Sequence, residues 1–195
     1  MKSIRTMIQC ALIAACSTLA VNANFATSSG QGVNSAEDKR AVATFGQRVA
    51  SYVKLRNRIK SKIPKLSKES TPEQIAAFEK SFVDALRTAR SSAKPGDLFT
   101  PEAAKFIRGM LKTEFTPAEK KEIRNVVLDA EVARAPLKVN YPYPDKSEFV
   151  EMPVKVLLRL PQLPKEVRYR YVGRNLFLVD TDNNLIVDYM TDALP

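Results

Sequence analysis

The sequence predicts an α+β fold, with about four N-terminal helices packed on one face of a small C-terminal antiparallel β-meander. Three observations lead there. Apolar residues recur at helical spacing through the first two thirds of the chain, and each run opens on Ser or Thr in capping position. From Val167 to Met190 the pattern changes to near-alternation, in VRYRYVGRNLFLVDTDNNLIVDYM. Turn residues break that stretch twice, at Gly173-Arg174 and at Thr181-Asp182-Asn183-Asn184.

The first 23 residues read as a bacterial-type secretory signal. Lys2 and Arg5 precede an apolar run from Met7 to Val21 that contains no acid. Cleavage after Ala23 fits Val21-Asn22-Ala23; Ile13-Ala14-Ala15-Cys16 also fits a lipobox, which would leave Cys16 lipidated. Both cysteines, Cys10 and Cys16, fall in this segment, so the body is expected to be held by packing rather than by disulfides. Residues 24–34 are polar and rich in Gly and Ser, as a flexible tether is, and residues 35–195 are long enough for one α+β domain.

Ser35 with Asp38 three residues on predicts the start of a long helix ending at Pro64. Its stripe is Val42, Phe45, Val49, Tyr52, Ile59 and Ile63, interrupted only by Arg56. Thr71-Pro72-Glu73-Gln74 opens a second helix with Ile75, Phe78, Phe82, Leu86 and Ala89 inward, which stops at Lys94-Pro95-Gly96-Asp97. Thr100-Pro101 opens a third, burying Phe106, Ile107, Met110 and Leu111. Thr116-Pro117-Ala118-Glu119 opens a fourth, burying Ile123, Val126, Val127 and Ala130. Pro136 to Pro144 reads as an extended segment that adds an edge strand, and Pro153 starts a short helix that Pro161 and Pro164 end.

Within the meander, a two-residue first loop pairs Val172 with Asn175, Arg170 with Phe177 and Arg168 with Val179. A four-residue second loop pairs Asp180 with Leu185, Leu178 with Val187 and Phe177 with Asp188. Side-chain alternation then collects Val167, Tyr169, Tyr171, Leu176, Leu178, Leu185, Val187 and Tyr189 on one face, with Asp180 at its rim. That face must be covered, and the helices upstream are the cover. The other face holds Arg168, Arg170, Val172, Asn175, Phe177, Val179, Ile186, Asp188 and Met190 and is expected to be half exposed. Arg170, Phe177 and Asp188 would lie together on it, with Arg168 beside them, as candidates for partner binding.

Composition removes most catalytic chemistry. With no His, no Trp and no Cys outside the leader, the body lacks the residues for Ser-His-Asp or Cys-His nucleophiles and for nitrogen or sulfur metal ligation. No cofactor is called for by any motif. Carboxylates remain: Glu148, Glu151, Asp180, Asp182, Asp188 and Asp192, two of which flanking a sugar could hydrolyse a glycan. Asp180-x-Asp182-x-Asn184 faintly resembles a calcium loop but lacks the following Gly and the distal Glu, and Asp and Asn are ordinary turn residues.

Charge is the strongest compositional signal. The chain carries a formal net charge of +10, and removing Lys2 and Arg5 with the leader leaves +8. From Lys39 to Lys68 there are ten basic residues and no acid. The outer face of the first helix, with Lys54, Arg58 and then Lys62, is a candidate for an anionic envelope lipid or polymer, or another envelope protein. The plainer expectation is that Glu73, Glu79 and Asp84 on the second helix neutralise that face. Nucleic acid is set aside, because an exported protein seldom meets it and no aromatics interleave with the lysines.

YVKLRNRIKSKIP at 52–64, Thr71 to Gln74, AKPGDLFTP at 93–101, Asn140 to Pro144 and LPQLPKEVRYRYVGRNLFLVDTDNNLIVDYMTDAL at 160–194 resemble a family of exported bacterial proteins. A C-terminal block of the form VGRxLxLxDxxxNLIVDxxxDAL marks it. The resemblance implies export and a shared domain; the family has no assigned activity, so no site residue carries over. The expectation is therefore an exported periplasmic or envelope protein, soluble or lipid-anchored, with no transmembrane span in the mature chain. It would bind or scaffold an acidic or envelope partner without catalysis. The alternative is a carboxylate-based hydrolase acting on an envelope glycan.

Overall fold

A computed structural model describes residues 35–121, 137–143, 154–172 and 174–193. Helix α1 spans Ala36–Lys60, α2 Pro72–Ala89 and α3 Pro101–Glu114; residues 117–121 open α4, and α5 is Val154–Leu157. Strands β1 (Val167–Val172), β2 (Asn175–Asp180) and β3 (Ile186–Met190) follow as an antiparallel sheet in the order β1-β2-β3. Helices first and a meander last make this an α+β fold.

The helix starts are specified locally. Ser35 and Asp38 form a capping box on α1, as do Thr71 and Gln74 on α2. Thr100 caps α3 through the Ala103 N–H, and Glu119 with Thr116 satisfies the first turn of α4. Such caps contribute about 1 kcal/mol each. The end of α1 falls earlier than Pro64: Ser61 caps it, and Lys62 and Ile63 donate to the carbonyls three residues back. This tighter turn follows from Pro64, which disfavours α conformation in the residue before it.

One sheet face meets the helices. Phe45, Val49 and Tyr52 of α1, Phe82 and Leu86 of α2, and Ile107 and Leu111 of α3 form one core with Tyr169, Tyr171, Leu176, Leu178, Leu185, Val187 and Met190. In α2 the stripe is narrower than its spacing predicts, since Ile75 is 39% exposed and Ala89 is exposed as well.

The β1–β2 register is the expected one: Val172 opposes Asn175, Arg170 opposes Phe177 and Arg168 opposes Val179. Between β2 and β3 the register departs from expectation. Val179 opposes Ile186, but Leu178 opposes Asp188 and Phe177 opposes Tyr189, with an irregularity between Leu178 and Val179. One extra residue is accommodated there, and a bulge inverts the facing of everything beyond it. Met190 therefore joins the helix-side core, while Tyr189 crosses to pack beside Phe177.

The second sheet face is not half exposed. Phe177, Val179 and Ile186 are buried with Tyr143, and Leu137 and Tyr189 pack at the margin. Tyr143 meets Phe177 edge-on at 5.5 Å. The segment 137–143 supplies this cover without becoming a strand: Pro142 makes an isolated bridge to Leu185, and Asn140, Tyr141 and Tyr143 exchange backbone hydrogen bonds with Asn184 and Ile186. Ile123, Val126, Val127 and Ala130 lie outside the described residues.

Candidate functional site

Arg56 occupies a stripe position, one turn after Tyr52, so the helix aims it at the core. It is 3% exposed, and Asp180 at the end of β2 is 0% exposed. Asp180 Oδ2 accepts from Arg56 Nε at 2.7 Å and from the Tyr52 hydroxyl at 2.7 Å, and Oδ1 accepts from the Asp182 N–H at 3.0 Å. Arg56 Nη2 and Lys60 both pair with Asp182, while the guanidinium lies 5.4 Å from the centre of the Phe82 ring. Burial, and then the Asp180 charge, push the Tyr52 phenol far up, so it stays a proton donor.

A second buried acid is held differently. Asp188, turned inward by the bulge and 0% exposed, accepts four backbone N–H groups at 2.7–2.8 Å: Gly96 and Tyr189 on Oδ1, Leu98 and Phe99 on Oδ2. Burial raises its carboxyl, and those four donors oppose the rise. Gly96 has φ +88, a left-handed conformation that glycine adopts freely. Near the same sheet edge, Arg90 donates to Asn140 Oδ1 at 2.8 Å and to the Val187 carbonyl at 2.9 Å, and stacks 4.9 Å over the Tyr52 ring.

These two acids tie the meander to the helices, Asp180 to α1 and Asp188 to the loop between α2 and α3. Glycoside hydrolysis needs two carboxylates facing one cleft. Asp180 and Asp188 instead face protein donors, Asp182 is shared by Arg56 and Lys60, and Asp192 lies 3.7 Å from Arg174. The Asp180 and Asp182 oxygens of the calcium-like turn are the same atoms, and the Asn184 side chain accepts from Arg168 at 3.2 Å. Glu148 and Glu151 lie outside the described residues.

The sheet-face cluster expected from sequence does not assemble. Arg168 and Arg170 are half buried on β1, but Phe177 is under Tyr143 and Asp188 points to the helices. The bulge and the 137–143 cover are the physical reasons. Arg56, Tyr52 and Asp180 are the residues that spacing alone did not bring together. The signal was there in two halves: a guanidinium interrupting an apolar helix stripe, and a carboxylate on an apolar strand face.

The basic helix face stands open. Lys54 and Arg58, one turn apart on α1, and Lys62 in the following turn are exposed and form no ion pair among the described residues. Glu73 and Glu79 do not pair with them, and Asp84 pairs within its own helix with Lys80 and Arg87. The acids of α2 therefore leave α1 uncovered. Lys65 and Lys68 extend the positive surface, with Glu69 the one acid between Lys54 and Ser70. Beside them Leu66 is 40% exposed, at a groove of about 400 Å³ lined by Ile63, Pro64, Leu66, Ala77 and Phe78 together with Lys65, Gln74 and three serines. Cys16 lies outside the described residues. No helix among the described residues is long and apolar enough to cross a membrane.

Comparisons with protein-family models, with curated proteins and with solved structures return no match for this chain.

Proposed function

We propose that this is an exported envelope protein that works by binding rather than catalysis, and that its partner is an anionic lipid surface met by the end of α1 and the loop after it. The observation that carries this reading is the coincidence of five exposed cations with no ion pair among the described residues, Lys54, Arg58, Lys62, Lys65 and Lys68, with the exposed Leu66 at the edge of a groove of mixed polarity. Lysines can sit at headgroup phosphates while Leu66 meets acyl chain. Each cation near such a surface contributes about 1 kcal/mol, within a Debye length. The leader and the resemblance to exported proteins support the compartment. The engagement of Asp180, Asp182 and Asp188 by protein groups weighs against a glycan hydrolase.

Co-sedimentation with vesicles tests it. The mature protein is expected to bind phosphatidylglycerol vesicles at about 50 mM salt, to release at about 500 mM, and to ignore phosphatidylcholine. Equal retention on both lipids, no retention, or binding to an anionic polysaccharide without binding to vesicles would overturn the lipid reading.

A further inference from the structure

A second basic concavity lies away from the end of α1, between the C-terminal turn of α2, the loop that follows it and the 137–143 segment. Its volume is about 380 Å³, within the range of small-molecule sites. Arg87, Lys94 and Lys138 line it, and no acidic side chain among the described residues does.

Two of those cations are ordered by the Tyr141 ring; Arg87 is also ion-paired with Asp84, whereas Lys138 has no ion pair among the described residues. The Arg87 guanidinium lies 4.9 Å and the Lys138 ammonium 4.5 Å from the centre of the Tyr141 ring. An aromatic face holds a cation in place but leaves its charge available to a ligand. Arg87 Nε donates to the Asn140 carbonyl at 2.9 Å, which fixes the guanidinium further; its Nη1 is 3.7 Å from Asp84, which Lys80 shares outside the cleft. Lys138 Nζ also reaches the Tyr141 hydroxyl at 3.2 Å. Lys94 is exposed and has no side-chain partner among the described residues.

The floor is fixed by hydrogen bonds. Asn140, at φ 66, is locked by Arg90 on both sides of its amide. Carbonyls at the end of α2 are capped locally: Leu86, Thr88 and Arg90 accept from the N–H groups of Arg90, Ser91 and Ala93.

We infer that this cleft is a binding site for a phosphate ester of a small polar molecule, gripped by Arg87, Lys94 and Lys138 around Tyr141. Three cations lining one cleft suit a dianion with three terminal oxygens better than a single carboxylate. The polar body of the ligand would lie along Tyr141 and Tyr189, which complete the wall. The site is independent of the lipid surface proposed above.

Isothermal titration calorimetry with glucose 6-phosphate and glucose as probes tests this. Glucose 6-phosphate is expected to saturate the protein and glucose to show no heat. Lys94→Gln and Lys138→Gln, both at exposed positions, are each expected to weaken binding about tenfold. Lys94→Arg should keep it, and a Lys54→Gln/Arg58→Gln/Lys62→Gln variant should leave it unchanged, which separates this site from the lipid surface. Absence of saturable binding up to about 10 mM, or equal binding by a Lys94→Gln/Lys138→Gln protein with an unchanged melting temperature, would overturn the inference.

Discussion

Arg56 on α1 and Asp180 at the end of β2, 124 positions apart in the chain, meet at 2.7 Å with both side chains almost fully withdrawn from solvent. Removing Arg56 leaves buried Asp180 with the Tyr52 hydroxyl but without its hydrogen-bonded cation, and removing Asp180 leaves buried Arg56 with the exposed Asp182 as its one ion-pair partner among the described residues. Arg56→Ala and Asp180→Ala are each expected to cost about 3–5 kcal/mol in urea unfolding, whereas Arg56→Met with Asp180→Leu should cost much less than the sum. Additive losses would mean that the two residues act separately.

Asp188 answers four backbone N–H groups with four lone-pair directions. An amide at that position offers one acceptor atom and turns donors toward donors. Asp188→Asn is expected to destabilise by about 1–3 kcal/mol or more, and Gly96→Ala, at φ +88, by about 1–2 kcal/mol. Thermal melts of the two variants check both.

The buried state of Phe177 distinguishes the observed sheet from an exposed one. Its ring lies between Tyr143 at 5.5 Å and Tyr189 at 5.8 Å. Phe177→Ala is expected to cost about 3–5 kcal/mol, the loss typical of an emptied core position, where an exposed ring would cost almost nothing.

Glu119 caps α4 and pairs with Lys155 of α5. The Lys155 hydrogen bond, followed by those from Thr116, holds its carboxyl down at about 2, from an ordinary 4.5. Because the folded value is depressed, the stability it contributes is complete above about pH 4.5 and is lost as pH falls toward 2. Glu119→Gln should flatten the acid limb of a stability–pH curve and leave the slope above pH 5 or so unchanged.

Much of this architecture was legible in the residues. Thr71, Thr100 and Thr116 mark helix starts because a hydroxyl and a following Pro act within one turn, a distance that sequence spans directly. The Gly173-Arg174 loop fixed β1 against β2 for the same reason. The bulge is not legible in the sequence because Ile-Val-Asp-Tyr-Met presents apolar side chains to both faces, so either register buries a comparable set. Once shifted, Asp188 moved from the supposed partner of Arg170 to the α2–α3 loop. The cover over Phe177 was equally hidden: Tyr143 sits in a Pro-interrupted segment whose alternation suggested an edge strand rather than a lid over a second core. Arg56 and Asp180 each stood out as a charge in an apolar pattern, but pairing them required the fold.

The open face of α1 is the proposed docking site for an anionic surface. Vesicle co-sedimentation of a Lys54→Glu/Arg58→Glu/Lys62→Glu variant tests this most directly, since all three side chains are exposed and none supports the core. An unchanged melting temperature is expected, with retention on phosphatidylglycerol vesicles reduced at least about a hundredfold, from about 1 kcal/mol per cation at the surface. Retention equal to that of the unaltered protein would contradict the proposed docking.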